Sequence, residues 1–281
     1  MKLSISVRVA EKFSNKREAS IGLGTLALLA AGHGYHAVCM RASQVGLHTP
    51  SDVVLENRRL LEGLGLKVSM VTGDFAIPEN NDECPNALRN IKPYLDLAEA
   101  LGADMIRVGI KKAEDIPWAQ RAADEAAERN ISLAQQSHNR SPFETVAESI
   151  KYLKLINRRN FGITYEPANL EICGDDYGPE TIKAFEPYLL NVYLQNHLPK
   201  ADGPGVIDTW SRGPVRFEQI PMWDTRGIDF PGIFETLDNI DYAGYVTVHQ
   251  ASTGSISPEE AIRKSAEYLK SIGGFESVRE P

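Results

Sequence analysis

Two hydrophobic patterns alternate along the chain. Short runs rich in Val, Ile, Leu and Tyr occupy 1–8, 36–41, 67–72, 104–108 and 245–249, and others start near Ile131, Phe161 and Leu190. Compact apolar runs bounded by Gly, Pro and Asn mark buried strands. Between them apolar residues return at helical spacing, which predicts helices with one inward face. These cover 21–31, a segment opened by Thr49-Pro50-Ser51, 87–101, 117–129, 142–156 and 179–187, with a last helix capped at Ser257-Pro258-Glu259-Glu260. Ser or Thr beside Pro suits a helix start, and Leu64-Gly65 and Gly102 supply helix stops.

Strand and helix alternating to the end of the chain predict an α/β fold, a single (β/α)8 TIM barrel filling 1–281. A doubly wound sheet is the other architecture with this alternation. Even spacing of the units, and a last helix ending near the C-terminus, favour the barrel. No Gly-x-Gly-x-x-Gly turn follows the first strand, so no nucleotide cofactor is expected. The one long stretch with neither pattern is 197–229, after the seventh strand, rich in Gly and Pro and holding Trp210 and Trp223. A loop of that length serves as a lid or an interface.

Composition narrows the partners. With 281 residues, 42% of them hydrophobic, the chain can bury one large core. A net charge of −8 with no basic run argues against nucleic acid or an anionic membrane as partner. A small-molecule substrate remains, and a homo-oligomer is compatible with this surface. Cys39, Cys84 and Cys173 lack metal-ligand spacing and cannot all pair, and the N-terminus has no signal-peptide stretch. A reducing, cytoplasmic location is therefore expected. The serine-hydrolase elbow, the Walker loop and the His-Glu-x-x-His helix are all missing.

The candidate chemistry sits at strand ends. Four runs finish in His138, Glu166, His197 and His249. In a parallel barrel the C-terminal strand ends open onto one face, where active sites are built. Alternation along a strand puts Gln136 with His138 and Gln195 with His197 on the same side. All six side chains are expected to line one pocket. Imidazoles and a carboxylate suit a divalent metal, Mn²⁺ or Zn²⁺, with Glu166, His249, Gln136 and Gln195 as ligands. Each histidine alone is equally a hydrogen-bonded core residue; their shared position points to function. Arg107, with Arg8 and Arg41, lies in or beside strands, and Arg140 follows the fifth; each is a substrate-binding candidate or one half of an ion pair. Trp210 and Trp223 are candidate covers for the apolar face of a sugar, or packing anchors of the long loop.

Tyr165-Glu-Pro-Ala-Asn-Leu170, Val192-Tyr-Leu-Gln-Asn-His197, Gly244-Tyr-Val-Thr-Val248 and Leu97-Ala-Glu-Ala-Leu-Gly-Ala103 resemble the sugar phosphate isomerase/epimerase group of the xylose isomerase-like TIM barrels. The resemblance runs in order over most of the chain. It implies one divalent metal at the strand ends, and sugars, polyols or their keto acids as substrates. It also implies a Glu closing the fifth strand, an Asp or Glu the sixth, a His on the seventh and a Glu at the eighth. The chain offers Gln136, Glu166, Tyr193 or Gln195, and His249 there, so the usual pair of proton-shuttling Glu residues is missing. One carboxylate with neutral His and Gln would leave a bound divalent ion net positive, favouring an anionic substrate or an enediolate-like intermediate. Glu259 and Glu260 open the last helix and would repel a phosphate, so an unphosphorylated sugar or sugar acid is expected.

The expected function is a sugar isomerase/epimerase-like enzyme acting α to the carbonyl of a keto sugar, polyol or sugar acid. Glu166 is the expected ligand or base, His249 a ligand or general acid/base, and His138 and His197 a second proton carrier and a hydroxyl partner. A metal-free lyase or dehydratase on a keto sugar is one alternative. A non-catalytic sugar-binding protein on the same scaffold is the other.

Overall fold

The structure is a computed structural model that describes residues 1–12, 14–252, 254 and 256–278. Eight parallel strands close into a barrel: β1 (Lys2–Ser6), β2 (Ala37–Met40), β3 (Lys67–Val71), β4 (Met105–Val108), β5 (Ser132–Gln136), β6 (Phe161–Tyr165), β7 (Leu189–Leu194) and, after an inserted three-stranded sheet, β11 (Tyr245–Val248). The last strand pairs with the first, Leu3 beside Val246 and Ile5 beside Val248, which closes the barrel. The expected (β/α)8 architecture is therefore the observed one.

Alternation within the strands explains the layering. Leu3 and Ile5 face outward into the main apolar core shared with the helices. Ser4 faces inward, where its hydroxyl meets that of Ser69 at 2.8 Å. Cys39, Met70, Met105, Ala134 and Tyr193 form a second, smaller cluster. Thr247 Oγ1 donates to Asn191 Oδ1 at 3.1 Å, a second buried polar contact between strands.

Three sequence expectations need correction. The helix at 87–101 is two, Asn86–Arg89 and Lys92–Leu101, the second starting afresh at Pro93. The helix at 142–156 is a 3-10 turn, Pro142–Glu144, followed by Val146–Ile156, whose N-cap is Thr145. The stretch at 197–229 is not irregular: it holds an antiparallel sheet of β8 (His197–Pro199), β9 (Gly205–Thr209) and β10 (Gly213–Gln219). Val206 and Asp208 of β9 are exposed, so the sheet lacks the strong apolar alternation of a core strand. Buried Asn196 anchors its base, donating to the carbonyls of Pro221 at 2.9 Å and Asp224 at 2.8 Å while accepting from Ile228 N at 3.0 Å.

Gly162 in β6 is sterically required. A Cβ there would meet Tyr188 O at 2.2 Å and Leu190 Cγ at 2.7 Å. Gly162→Ala should cost about 2 kcal/mol in urea unfolding, the overpacking range. An unchanged unfolding midpoint would show that the backbone gives way freely at this approach.

Candidate active site

At the C-terminal mouth of the barrel the strand ends surround a cavity of about 270 Å³. Gln136 ends β5 and His138 follows two residues on, held by Ser137 N donating to Thr164 O at 3.0 Å, which prolongs the β5–β6 ladder. Gln195 follows β7, and His249 follows β11 with its backbone N donating to Leu194 O at 2.9 Å. Arg107 comes from within β4, Arg41 from just past β2, and Arg8 from the 3-10 turn after β1. Lys16, Asn169, Asp208, Arg140 and His197 complete the polar wall.

Glu166 lies beneath this wall rather than on it. It follows β6, Pro167 starts the next helix directly behind it, and it is fully buried. The Nε2 groups of Gln136 and Gln195 donate to its two oxygens, and Asn169 Nδ2 donates at 2.6 Å. An ionised carboxylate only accepts, so it fixes the orientation of these amides and leaves the carbonyl oxygen of Gln136 buried with no partner. Burial pushes the Glu166 carboxyl up to about 7, against the opposing pull of the Gln195 and Gln136 hydrogen bonds and of Arg107 and Lys16.

The histidines are held in defined states. His138 Nδ1 lies 3.2 Å from Asn139 O. A carbonyl cannot donate, so Nδ1 carries the proton and Nε2 the lone pair. Burial, then Arg107 and Lys16, hold the His138 imidazole well below its ordinary range, so it is a neutral base at neutral pH. His249 stacks flat on Tyr193, ring centroids 3.8 Å apart, with Arg41 Nη1 at 3.3 Å from its Nε2. Arginine only donates, so His249 Nδ1 carries the proton, and that buried N–H has no protein partner. Burial and the nearby arginines also lower its pKa well below the ordinary value. His197 Nε2 faces Glu171 at 2.8 Å, and its ring meets Phe217 edge-on.

Cations crowd the floor. Glu11 takes Arg41 Nη2 at 2.8 Å and Arg8 Nη1 at 3.3 Å, all three residues being buried. Burial and the neighbouring Arg41 lower Arg8 to about 10, and burial with Arg8, Arg41 and Arg107 lowers Lys16 to about 7. Over the cavity lies the β8–β10–β9 sheet, pinned by buried Glu144, whose carboxylate accepts from Trp210 N at 2.7 Å and Ser211 N at 2.9 Å. Asn139 Nδ2 adds a bond to Asp208 O at 2.8 Å.

The donor set fits this environment better than it fits a divalent ion. Both Glu166 oxygens are occupied by amide N–H groups, His249 Nε2 is directed at a guanidinium, and Arg41 and Arg107 would repel a cation. No three His, Cys, Asp or Glu side chains converge in metal-binding geometry among the described residues. Of the expected ligands, Glu166, Gln136 and Gln195 come together as a hydrogen-bonded cluster, while His249 lines the same cavity and meets Arg41 instead.

Of the six strand-end side chains expected in one pocket, Gln136, Gln195, His138, His197 and His249 line the cavity and Glu166 lies behind them; Arg107 and Arg140 line it as well. Trp210 and Trp223 do not. Trp210 is 59% exposed beyond the β9 end, and Trp223 packs on the core under Lys264, whose ammonium lies 5.0 Å from the ring centre. The pattern misses Lys16, Glu11 and Asn169. The first two lie in the connection after β1, where no periodicity marks them; Asn169 stands in the Glu-Pro-Ala-Asn motif and was visible there.

The Glu166 carboxyl keeps its proton up to about 7 when folded but only to its ordinary value of 4.5 when unfolded. Between those values the folded state binds the extra proton, so stability falls as pH rises through that window. Glu166→Gln should remove this component, so that from pH 5 to pH 7.5 the wild type loses on the order of 1–3 kcal/mol more than the variant in urea melts. Parallel pH profiles would contradict the raised carboxyl.

A family model described as xylose isomerase-like TIM barrel matches residues 27–272. No curated protein matches the chain by sequence. Among solved structures, the probable 3-DHS dehydratase AsbF of Bacillus anthracis superposes with a TM-score of 0.72 at 14% identity, over 96% of this chain and 99% of that one. D-psicose 3-epimerase of Clostridium cellulolyticum H10 gives 0.67 at 13% identity, over 97% and 99%. A xylose isomerase-like TIM barrel protein of Mycobacterium smegmatis, in complex with magnesium, gives 0.69 at 13% identity, over 96% of both chains. At such identities the superpositions carry the fold alone, while the sequence match spans most of the barrel: this chain belongs to the xylose isomerase-like TIM barrel family.

Proposed function

We propose that the chain is an enzyme that removes the proton α to the carbonyl of a keto sugar, polyol-derived ketone or sugar acid, using its own side chains as acid and base. The observation that carries this is His138, a neutral imidazole on the cavity wall whose protonated nitrogen is tied to Asn139 O. Neighbours described as a dehydratase and a psicose 3-epimerase support the class, because both reactions begin by breaking a C–H bond beside a carbonyl.

In the proposed mechanism His138 Nε2 accepts the α-proton, and the electron pair of the C–H bond moves onto the carbonyl oxygen as an enolate. Arg41 and the unpartnered Nδ1–H of His249 are the donors for that developing charge. Imidazolium His138 then returns the proton to the former carbonyl carbon while the α-hydroxyl proton passes to the enolate oxygen, so that the α carbon becomes the new carbonyl and the sugar is isomerised. Where a hydroxyl stands on the β carbon, it gives the proton to that oxygen, which leaves as water. Two-base epimerisation needs a second free nitrogen opposite the first. His249 Nε2 is taken by Arg41 and His197 Nε2 faces Glu171, so the site favours one-base isomerisation or β-elimination.

Incubation with a panel of ketoses and keto-sugar acids in D₂O, followed by proton NMR, should show loss of the α C–H signal for at least one compound. His138→Gln should slow that exchange by about 100-fold or more. The rate should decline as pH falls through the depressed His138 value, well below the ordinary imidazole range. Exchange that survives intact in the variant would remove His138 from the mechanism. Binding without any exchange would leave a sugar-binding protein.

A further inference from the structure

Four of the cavity's cations differ in how they are neutralised. Arg8 and Arg41 share Glu11. Lys16 donates only to Pro78 O, at 2.8 Å, among the bonds of the described residues. Arg107 is 4% exposed, its Nη2 makes one long bond to Ile77 O at 3.4 Å, and its Nε has no partner. No carboxylate lies within ion-pair distance of Arg107 or Lys16 among the described residues. Glu166 acts on Arg107 only through space, because its oxygens are filled by amides.

A buried guanidinium without a counter-ion is strongly unfavourable. The other buried arginines among the described residues, Arg41 and Arg8, both meet Glu11, at 2.8 Å and 3.3 Å. The exception faces the cavity, where a ligand can supply the missing charge. The same cavity is lined by acceptors: Gln136, whose buried carbonyl oxygen has no partner, and the Asp208 side chain on the rim. Acceptors on one side and a guanidinium fork on the other match a molecule with hydroxyls and a carboxylate.

We infer that Arg107, with Lys16 at the rim, is the docking point for the carboxylate of a polyhydroxy acid, an aldonic, uronic or keto-sugar acid. This rests on the acid/base reading above and names the substrate class of the same cavity. A planar carboxylate matches the two-pronged guanidinium, whereas a phosphate is usually taken by backbone N–H groups of a glycine-rich turn, and the chain has no such motif. The small cavity, about 270 Å³, favours a single sugar unit.

The test is calorimetric binding at low salt, with D-glucuronate, D-gluconate, 2-keto-D-gluconate, D-glucose, D-fructose, glucose 6-phosphate and sulfate as probes. At least one sugar acid should bind about 10-fold or more tightly than its neutral counterpart. Arg107→Met should bring the ratio of acid to neutral-sugar affinity to about 1 and melt no lower than the wild type, because it removes an unpaired charge. An arginine that merely holds the fold would lower the melting point. If Arg107→Met does not fold, Lys16→Met should still weaken acid binding by about 3-fold or more. The inference is overturned if acids and neutral sugars bind alike, if glucose 6-phosphate or sulfate binds tighter than every carboxylate, or if the preference survives both substitutions. Binding is read without turnover, so a sugar acid that binds with no α-proton exchange would defeat the catalytic reading alone.

Discussion

The buried carboxylate of Glu11 holds two guanidiniums at the floor of the barrel mouth, and much of the site's geometry follows from that ion pair. It fixes Arg41, with Ser43 Oγ donating to the same carboxylate at 2.6 Å. Arg41 in turn points Nη1 at His249 Nε2, which sets the tautomer of a ring already clamped on Tyr193. The Tyr193 hydroxyl meets Cys39 Sγ at 3.1 Å inside the barrel. Removing Glu11 would strand two buried cations, a change of the strongly destabilising kind.

Glu166 plays the matching part on the other side of the mouth. It holds the side-chain amides of Gln136, Gln195 and Asn169 by their N–H groups, so the Gln136 carbonyl oxygen is left buried without a protein partner. The two carboxylates therefore fix guanidiniums at one part of the mouth and side-chain amides at another. A site preorganised in this way stabilises developing negative charge through fixed dipoles and cations, a task often given to a divalent ion.

The sequence made the barrel legible because buried strands and amphipathic helices carry different periods, and every barrel strand had its run. The strand-end histidines and glutamines were legible for the same reason: alternation alone put Gln136 with His138 and Gln195 with His197. What it could not reveal were contacts made across the barrel. Glu11 and Arg41 are thirty positions apart and belong to different units, so no local pattern joins them. Which end of the Gln136 amide faces Glu166 depends on the carboxylate beside it, not on any spacing. Of the two readings open for Trp223, sugar cover or packing anchor, the structure shows the second: the ring is taken up by the core and Lys264, a contact no local spacing marks.

The central claim is that the chain's own cations and amides occupy the place where a divalent ion would sit. The most direct measurement is elemental analysis of protein purified without chelator, paired with melting curves after adding EDTA, Mn²⁺ or Zn²⁺. The account predicts well below one equivalent of metal and shifts within about 1 °C. About one bound equivalent per chain, with a melting point that falls on chelation, would contradict it.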